Sequence, residues 1–537
     1  VQYENKEDIQ VFKILVSDPL SEKGLKILKK EKDIHVDVKV KQPPEELKKI
    51  IGNYDALIIR SGTKVTADLI KHADKLKVIG RAGVGLDNVD IPAATKKGII
   101  VMNTPGGNTI STAEHAVSLM LSLSRNIAPA DASMKRGEWE RKKFMGVELY
   151  GKTLGIVGLG RIGAEVAKRA LSFGMKIIAY DPFLTPDKAA DSEIELSSLK
   201  KVFVESDYIT VHTPLTKDTK HLISTKEIAT MKKGIRLINC ARGGIIDEKA
   251  VLKGIESGKI AGAAFDVYEH EPPKDDPITK CDRIIVTPHL GASTEEAQDN
   301  VAIEVAEQVV DALLERGIRN AVNIPYIELK AWKVLRPYML LAEKMGMFQA
   351  QLAQGPIKEV RLDYAGDVAK YDTTAITTAF VKGLLTSALG EMVNNVNATV
   401  IAKDRNIKVV ESKTSQAEEF AHLITVTVKT KSKSQAISGA LFANKKPRII
   451  KIGDYYVDAM PEGNMVLISN KDVPGIVGQL GTLLGKNKIN IAGMTFGRQK
   501  LGGIAVSLCN VDSEVPEKVL KELKKSRNIY DAKLIRL

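Results

Sequence analysis

At 537 residues the chain is too long for a single core, and three or four domains are expected. Its 44% hydrophobic and 27% charged residues are those of soluble globular protein, and no apolar run reaches the roughly 18 residues needed to span a bilayer. The formal charge of +13 is spread over lysine pairs along the chain, such as Lys29-Lys30 and Lys524-Lys525, and aromatics are only 5%, which argues against nucleic acid as the main partner.

The N-terminus, Val1-Gln-Tyr-Glu-Asn-Lys-Glu-Asp, is polar and mixed in charge; it reads as a lead-in, and no secretory signal is expected. Cys240, Cys281 and Cys509 lie far apart and fit no metal or redox spacing, so a reduced, cytoplasmic setting and no metal are expected. From residue 12 to about 103, short apolar runs alternate with amphipathic stretches. Phe12-Lys-Ile-Leu-Val-Ser, Ala56-Leu-Ile-Ile-Arg and Lys77-Val-Ile-Gly read as strands, and residues 21–30 and 43–51 as helices. That alternation predicts a parallel α/β unit. Within it, Gly83-Val-Gly85-Leu-Asp-Asn resembles a dinucleotide loop but lacks the third glycine and an immediate helix. It reads as a backbone-amide cradle for a carboxylate, or as a plain turn. The turn cluster Asn103-Thr-Pro-Gly-Gly-Asn leads into a long amphipathic helix near residues 112–123.

A second α/β unit starts at Gly151-Lys-Thr-Leu-Gly-Ile-Val-Gly. Six strand candidates, at 154–157, 176–180, 208–211, 235–239, 262–265 and 284–286, predict a six-stranded doubly wound sheet. Gly158-Leu-Gly160-Arg-Ile-Gly163 follows the first strand and opens a helix. Gly158 permits the tight turn, Gly160 lets the backbone approach a pyrophosphate, and Gly163 lets helix and strand pack closely. Asp181 ends the next strand, where an acid holds ribose hydroxyls and repels a 2′-phosphate, so NAD is expected rather than NADP.

Three phrases then carry chemistry: Cys240-Ala-Arg-Gly-Gly, His270-Glu-Pro-Pro and Pro288-His-Leu-Gly-Ala-Ser. They supply a cation in Arg242, a carboxylate in Glu271 and an imidazole in His289. Hydride chemistry on a 2-hydroxy or 2-oxo acid needs this set. The cation grips the carboxylate and polarises the carbonyl oxygen. The imidazole moves the proton, and the acid orients it and favours its protonated form. His115 reads as a packing residue on its amphipathic helix. His212 either lines the cofactor cleft or simply ends a strand.

A helix at residues 294–314 reads as a return crossing to the first domain, which places the active site in the cleft between domains. Residues 330–455 mix helix and strand patterns without a catalytic constellation. The last 75 or so residues read βαββαβ, the ferredoxin-like order.

The fingerprint, followed by Ala241-Arg-Gly-Gly, Glu271-Pro-Pro and Pro288-His-Leu-Gly, resembles the D-isomer-specific 2-hydroxyacid dehydrogenases. Further marks are Arg60-Ser-Gly-Thr-Lys-Val, Gly83-Val-Gly-Leu-Asp-Asn-Val-Asp and Trp139-Glu-Arg-Lys-Lys-Phe-Met-Gly. The resemblance covers the chain from about residue 12 to its end and is strongest to long members of the family. It implies a split substrate domain (1–103 and 291–325), a nucleotide domain (104–290), an α+β intervening domain (326–458) and a C-terminal ACT domain (463–537). It implies His289 as acid/base, Glu271 as its partner and Arg242 as the clamp. Around NAD it places Gly158, Gly160, Arg161, Ile162, Gly163, Asp181, His212, Thr213, Pro214, Thr219, Cys240, Ala241, Asp266 and Gly291. Around the substrate it places Arg60, Ser61, Val84, Gly85 and Asn108, with Arg141 or Lys142 reaching a substrate phosphate from the other subunit of a dimer or tetramer.

The implied reaction is NAD-dependent oxidation of 3-phospho-D-glycerate to 3-phosphohydroxypyruvate, with L-serine as feedback inhibitor at Asn470, Asp472 and Asn490. Asp472 either holds an α-ammonium or caps a helix. Lys445, Lys446 and Arg448 of the intervening domain are candidate anion contacts. The alternatives are a reductase for glyoxylate or hydroxypyruvate, and a non-enzymatic dinucleotide sensor.

Overall fold

The computed structural model describes residues 11–184, 193–325, 329–415, 422–442 and 445–537, so the N-terminal lead-in lies outside the described residues. The first sheet is parallel, in the order Ile34–Val38, Phe12–Val16, Ala56–Ile59, Val78–Arg81 and Ile100–Asn103. Its central strands are continuous apolar runs because both faces are covered. On one face lie the helices Glu22–Lys30 and Glu295–Leu313, through Leu25, Leu28, Val305 and Val309. On the other lie Pro44–Ile50, Ala67–Lys71 and Ile91–Lys97, through Leu47, Leu69 and Ala94. Glu295–Leu313 thus returns to the first sheet after the second is complete.

The second sheet has seven parallel strands rather than the expected six. Their order is Ile284–Val286, Ile260–Phe265, Ile235–Asn239, Tyr208–Val211, Thr153–Val157, Lys176–Tyr180 and Ile194–Leu196. The additional edge strand, Ile194–Leu196, spans only three residues, too few to show a period in the sequence. Thr109–Arg125 and Arg161–Ser172 cover one face. Leu199–Glu205, Thr225–Thr230 and Glu248–Glu256 cover the other. This is the doubly wound arrangement. Winding reverses between Thr153–Val157 and Tyr208–Val211, and such sheets bind ligands at the carboxyl ends of those strands.

The third sheet runs Lys408–Thr414, Ile357–Gly366, His422–Thr430, Ser434–Phe442, Lys446–Ile452 and Tyr455–Ala459, with only the first pair parallel. Helices Leu329–Leu352 and Thr374–Leu389 pack on it around Phe348, Tyr364 and Phe380. This domain meets the first where Asn394 donates to the Gly98 carbonyl at 2.8 Å, at the C-terminal cap of Ile91–Lys97.

The fourth sheet is antiparallel, in the order Ile491–Arg498, Ile504–Val511, Asn464–Lys471 and Ile529–Arg536. With helices Ile476–Lys486 and Glu517–Lys525 it forms the βαββαβ unit read from the sequence. The helices cover one face through Leu480, Leu484 and Leu523. From the sheet, Met465, Leu508 and Ile535 enter the same core as Phe348, so the two C-terminal domains share one apolar interior.

Candidate active site

Strand Thr153–Val157 runs into the glycine loop at the switch point. Gly158 has φ of 93°, a left-handed conformation that favours glycine, and its amide donates to the Tyr180 carbonyl at 2.8 Å. A Cβ on Gly163 would overlap the Gly158 carbonyl oxygen, so glycine is what lets the helix start this close to the strand. A Cβ on Gly160 would meet nothing within 4 Å, leaving room beside the loop for a pyrophosphate. Gly160 is the N-cap, followed by Arg161 and Ile162 in the first turn, whose amides make an anion-binding end. Asp181 is fixed against this loop. Its two carboxylate oxygens accept from the amides of Leu159 at 3.0 Å and Phe183 at 2.9 Å.

Across the crevice, His212, Thr213 and Pro214 follow strand Tyr208–Val211. His212 Nε2 lies 2.9 Å from Thr210 Oγ1, and burial pushes the imidazole pKa down to about 4, so the ring is neutral at pH 7. Its Nδ1 and the Thr213 hydroxyl are buried without a protein partner among the described residues. Open space at Gly160, an acid at Asp181 and these unpaired polar atoms fit a dinucleotide. The Thr219 hydroxyl donates to the Pro214 carbonyl at 2.7 Å, which shapes the loop. The Ala241 amide donates to Asn239 Oδ1 at 3.1 Å. Burial, with Asp266 nearby, drives the Cys240 thiol pKa well up, so it stays protonated.

His289 Nδ1 lies 2.9 Å from Glu271 Oε2. An ionised carboxylate only accepts, so Nδ1 carries the proton and Nε2 is free to take another. Burial works to raise the Glu271 pKa, but the bonds from His289 and the Tyr268 amide outweigh it and hold the carboxyl below its ordinary value. Two buried acids anchor the loops behind this pair. Asp266 accepts from the Thr287 hydroxyl at 2.6 Å, the Leu290 amide at 2.7 Å and the Gly291 amide at 2.8 Å. Gly291 in turn accepts from the Ser111 hydroxyl at 2.7 Å. Glu248 accepts from the Glu269 amide at 2.8 Å, two residues before Glu271. Reading His115 as mere packing needs correcting: its Nε2 sits 3.2 Å from both Asp266 Oδ1 and Thr287 Oγ1, inside the same network.

Between the first two domains lies a cavity of about 520 Å³. Arg60, Ser61, Val84, Gly85 and Asn108 line it together with Arg242, Glu271 and His289. The Asn108 side-chain oxygen, Oδ1, is buried and unpartnered among the described residues. The Arg60 amide donates to Asp18 Oδ2 at 2.6 Å and the Arg60 carbonyl accepts from Asn88 at 2.6 Å. Asn103 donates to the Val84 carbonyl at 2.6 Å.

Sequence reasoning missed Lys64, Arg81, Asp87, Asn88, Ser293 and Gln298 in this lining. Arg81 is largely buried, and burial with the charge of Arg242 beside it pulls its pKa down to about 10. Its one signal was its position just ahead of Gly83-Val-Gly85. Arg141 and Lys142 lie on an exposed turn and are not in the lining of this cavity.

Comparison with known proteins agrees with this geometry. Residues 117–291 match the NAD-binding domain of D-isomer-specific 2-hydroxyacid dehydrogenases, 334–453 the D-3-phosphoglycerate dehydrogenase intervening domain, and 464–528 the ACT domain. D-3-phosphoglycerate dehydrogenase of Methanocaldococcus jannaschii is 48% identical over 98% of this chain and 100% of its own length. That of Bacillus subtilis is 43% identical over the same shares. The chain belongs to the D-isomer-specific 2-hydroxyacid dehydrogenases, in their D-3-phosphoglycerate dehydrogenase branch. Among solved structures, D-lactate dehydrogenase from Aquifex aeolicus, complexed with NAD and lactic acid, matches with a TM-score of 0.52 and 29% identity, over 58% of this chain and all of that one. A glyoxylate reductase from Paecilomyes thermophila matches with a TM-score of 0.54 and 30% identity, over 58% of this chain and 98% of that one. The chain is an NAD-dependent dehydrogenase.

In this dehydrogenase the three residues expected at an effector site do not converge within one chain. Asn470 is buried on strand Asn464–Lys471, opposite Ala505, and its oxygen accepts from the Ser507 hydroxyl at 2.8 Å. Asn490 lies at the other end of the sheet, exposed, donating to Asp512 Oδ2 at 2.6 Å. Asp472 does not cap the following helix, whose N-cap is Gly475; it pairs with Arg498 at 3.1 Å and accepts from the Gly502 amide. Arg448 lines a second cavity, of about 330 Å³, with Asp458, Asn510 and Asp512, and is paired with Asp458 at 3.3 Å.

Proposed function

We propose that the enzyme oxidises 3-phospho-D-glycerate to 3-phosphohydroxypyruvate. The observation that carries this reading is the His289–Glu271 pair facing a cavity with Arg60, Lys64, Arg81 and Arg242 on its walls. A substrate with a carboxylate at one end and a phosphate at the other matches four cations around one acid/base pair.

Gly158, Gly160, Gly163 and Asp181 hold the cofactor. NAD, bound there, supplies the acceptor for the hydride. Arg242 holds the C1 carboxylate and offers a positive charge to the C2 oxygen. His289 accepts the hydroxyl proton at Nε2, and Glu271 stabilises the imidazolium through Nδ1–H. In the reverse direction the same Nε2 returns the proton. Arg60 takes the phosphate, assisted by Arg141 or Lys142 of a second subunit, and Ser61, Val84, Gly85 and Asn108 position the acid. Asp266 and Gly291 set the loop of His289 and, with Thr219, Cys240 and Ala241, border the cofactor.

A dimer or tetramer is supported by exposed apolar residues near that basic turn, among them Trp139, 75% exposed, and Met145, 80% exposed. The ACT domain supports amino-acid feedback, with L-serine the proposed effector. Separation of Asn470 from Asn490 favours a site completed by a second ACT domain. Three unpaired thiols suit the cytoplasm; among the described residues no helix is long and apolar enough to cross a membrane.

NADH formation with 3-phosphoglycerate, glycerate and D-lactate, each with and without serine, tests the proposal. Phosphoglycerate should be preferred and serine should slow it. Turnover of unphosphorylated acids alone would select the glyoxylate or hydroxypyruvate reading.

A further inference from the structure

Arg242 is rooted on the nucleotide-binding sheet, yet its side chain ends on the other domain. Nε donates to Asp87 Oδ2 at 3.0 Å across the cleft. Nη1 donates to the Ala241 carbonyl at 2.7 Å. A Cβ added to Gly85 would overlap Nη2 and come within 2.9 Å of Asp87 Oδ2, so guanidinium, carboxylate and bare backbone form one packed group. The Asp87 side chain is 71% exposed, and an ion pair so open to water adds little stability. Its effect is on geometry. Arg242 shares the cavity with Arg60, Lys64 and Arg81, and the charges of Arg242 and Asp87 act on Arg81 in opposite senses. With Asp87 neutral, Arg242 keeps the repulsion of the other cations and loses the acid that draws it across.

We infer that Asp87 is a positioning residue for Arg242, a latch across the interdomain cleft that occupies Nε and leaves Nη2 and the second N–H of Nη1 for the substrate carboxylate. The inference rests on the reading of Arg242 as the substrate clamp. Because the latch joins two domains, the clamp is set only while they face each other.

The test uses the full-length enzyme and steady-state kinetics with 3-phosphoglycerate. Asp87→Asn keeps the shape and removes the charge. Its kcat/KM should fall about ten- to a hundredfold, the scale of a misplaced clamp, with a fall in kcat as part of the loss because Arg242 also faces the C2 oxygen. NAD affinity by calorimetry and the melting temperature should stay at parental values. Asp87→Glu should recover part of the loss. In an Arg242→Ala background, followed by single turnover at high enzyme concentration, Asp87→Asn should add no further loss. A parental kcat in Asp87→Asn, a rise in KM alone, or an undiminished loss in the Arg242→Ala background would overturn the inference. Parental turnover by Arg242→Ala itself would overturn the clamp reading beneath it.

Discussion

Asp266 sets the position of His289 without touching its ring: it binds the amides of Leu290 and Gly291, the two residues that follow the imidazole, at 2.7 and 2.8 Å. His289 has φ of 58°, an uncommon backbone state for a residue with a side chain, and the bonds to Asp266 fix the chain just after it.

Replacing Asp266 by Asn should therefore lower both activity and stability, the latter by about 1–3 kcal/mol for bonds to a buried charged acceptor. Burial works to raise the Asp266 pKa, but its hydrogen bonds win and hold it below the ordinary carboxyl value. A carboxyl depressed in this way stabilises the fold fully above its unfolded value and loses that contribution as pH falls through its folded value. Urea melts should show the gap between parent and Asp266→Asn closing as pH drops below about 4. A gap that does not change with pH would contradict this account.

His289→Ala should lose about 10²–10⁴-fold in kcat, the range of a missing general acid/base. Glu271→Gln keeps the shape but removes the charge behind Nδ1. It should lose at least tenfold or so, since an imidazolium forms beside that carboxylate. Both proteins should bind NAD normally in a fluorescence titration, which separates chemistry from cofactor binding.

Two glycines of the loop should respond differently to alanine. Gly163→Ala puts a methyl onto the Gly158 carbonyl and should destabilise the nucleotide domain by about 1–3 kcal/mol, visible as a lower melting temperature. Gly160→Ala meets no protein atom, so the fold should hold while the KM for NAD rises. Equal melting temperatures for the two variants would refute the packing difference.

Arg60→Lys should weaken use of 3-phosphoglycerate more than of glycerate, because lysine cannot supply the two-pronged contact. Arg141→Ala should do the same if that residue reaches across a subunit boundary. Mixed dimers of Arg141→Ala and His289→Ala chains should regain activity, since each pairs one intact phosphate contact with one intact acid/base. No recovery in mixed dimers would place Arg141 outside the site.

The glycine loop, Asp181 and the three catalytic phrases were legible because each has fixed spacing tied to one backbone geometry. Arg81, Asp87 and Glu248 were not, because their roles depend on which domain faces which, and no local pattern records that. His115 illustrates the same limit: its helical spacing suits packing, while its partners, Asp266 and Thr287, lie far along the chain. The strand Ile34–Val38 is equally hard to see in the sequence; its apolar residues alternate with His35 and Asp37 at the sheet edge, unlike the solid apolar runs of the inner strands.

Met465, Leu508 and Ile535 close the interior of the preceding domain, so the terminal sheet is a wall of that domain rather than a pendant module. The C-terminal half is therefore one packed unit. That half grips the end of the helix Ile91–Lys97 through Asn394, and the opposite end of the same helix is capped by Asp90, five residues beyond Gly85. The helix therefore stands between the intervening domain, at its C-terminal end, and the Gly83-Val-Gly85 loop of the cleft, just ahead of its N-terminal end.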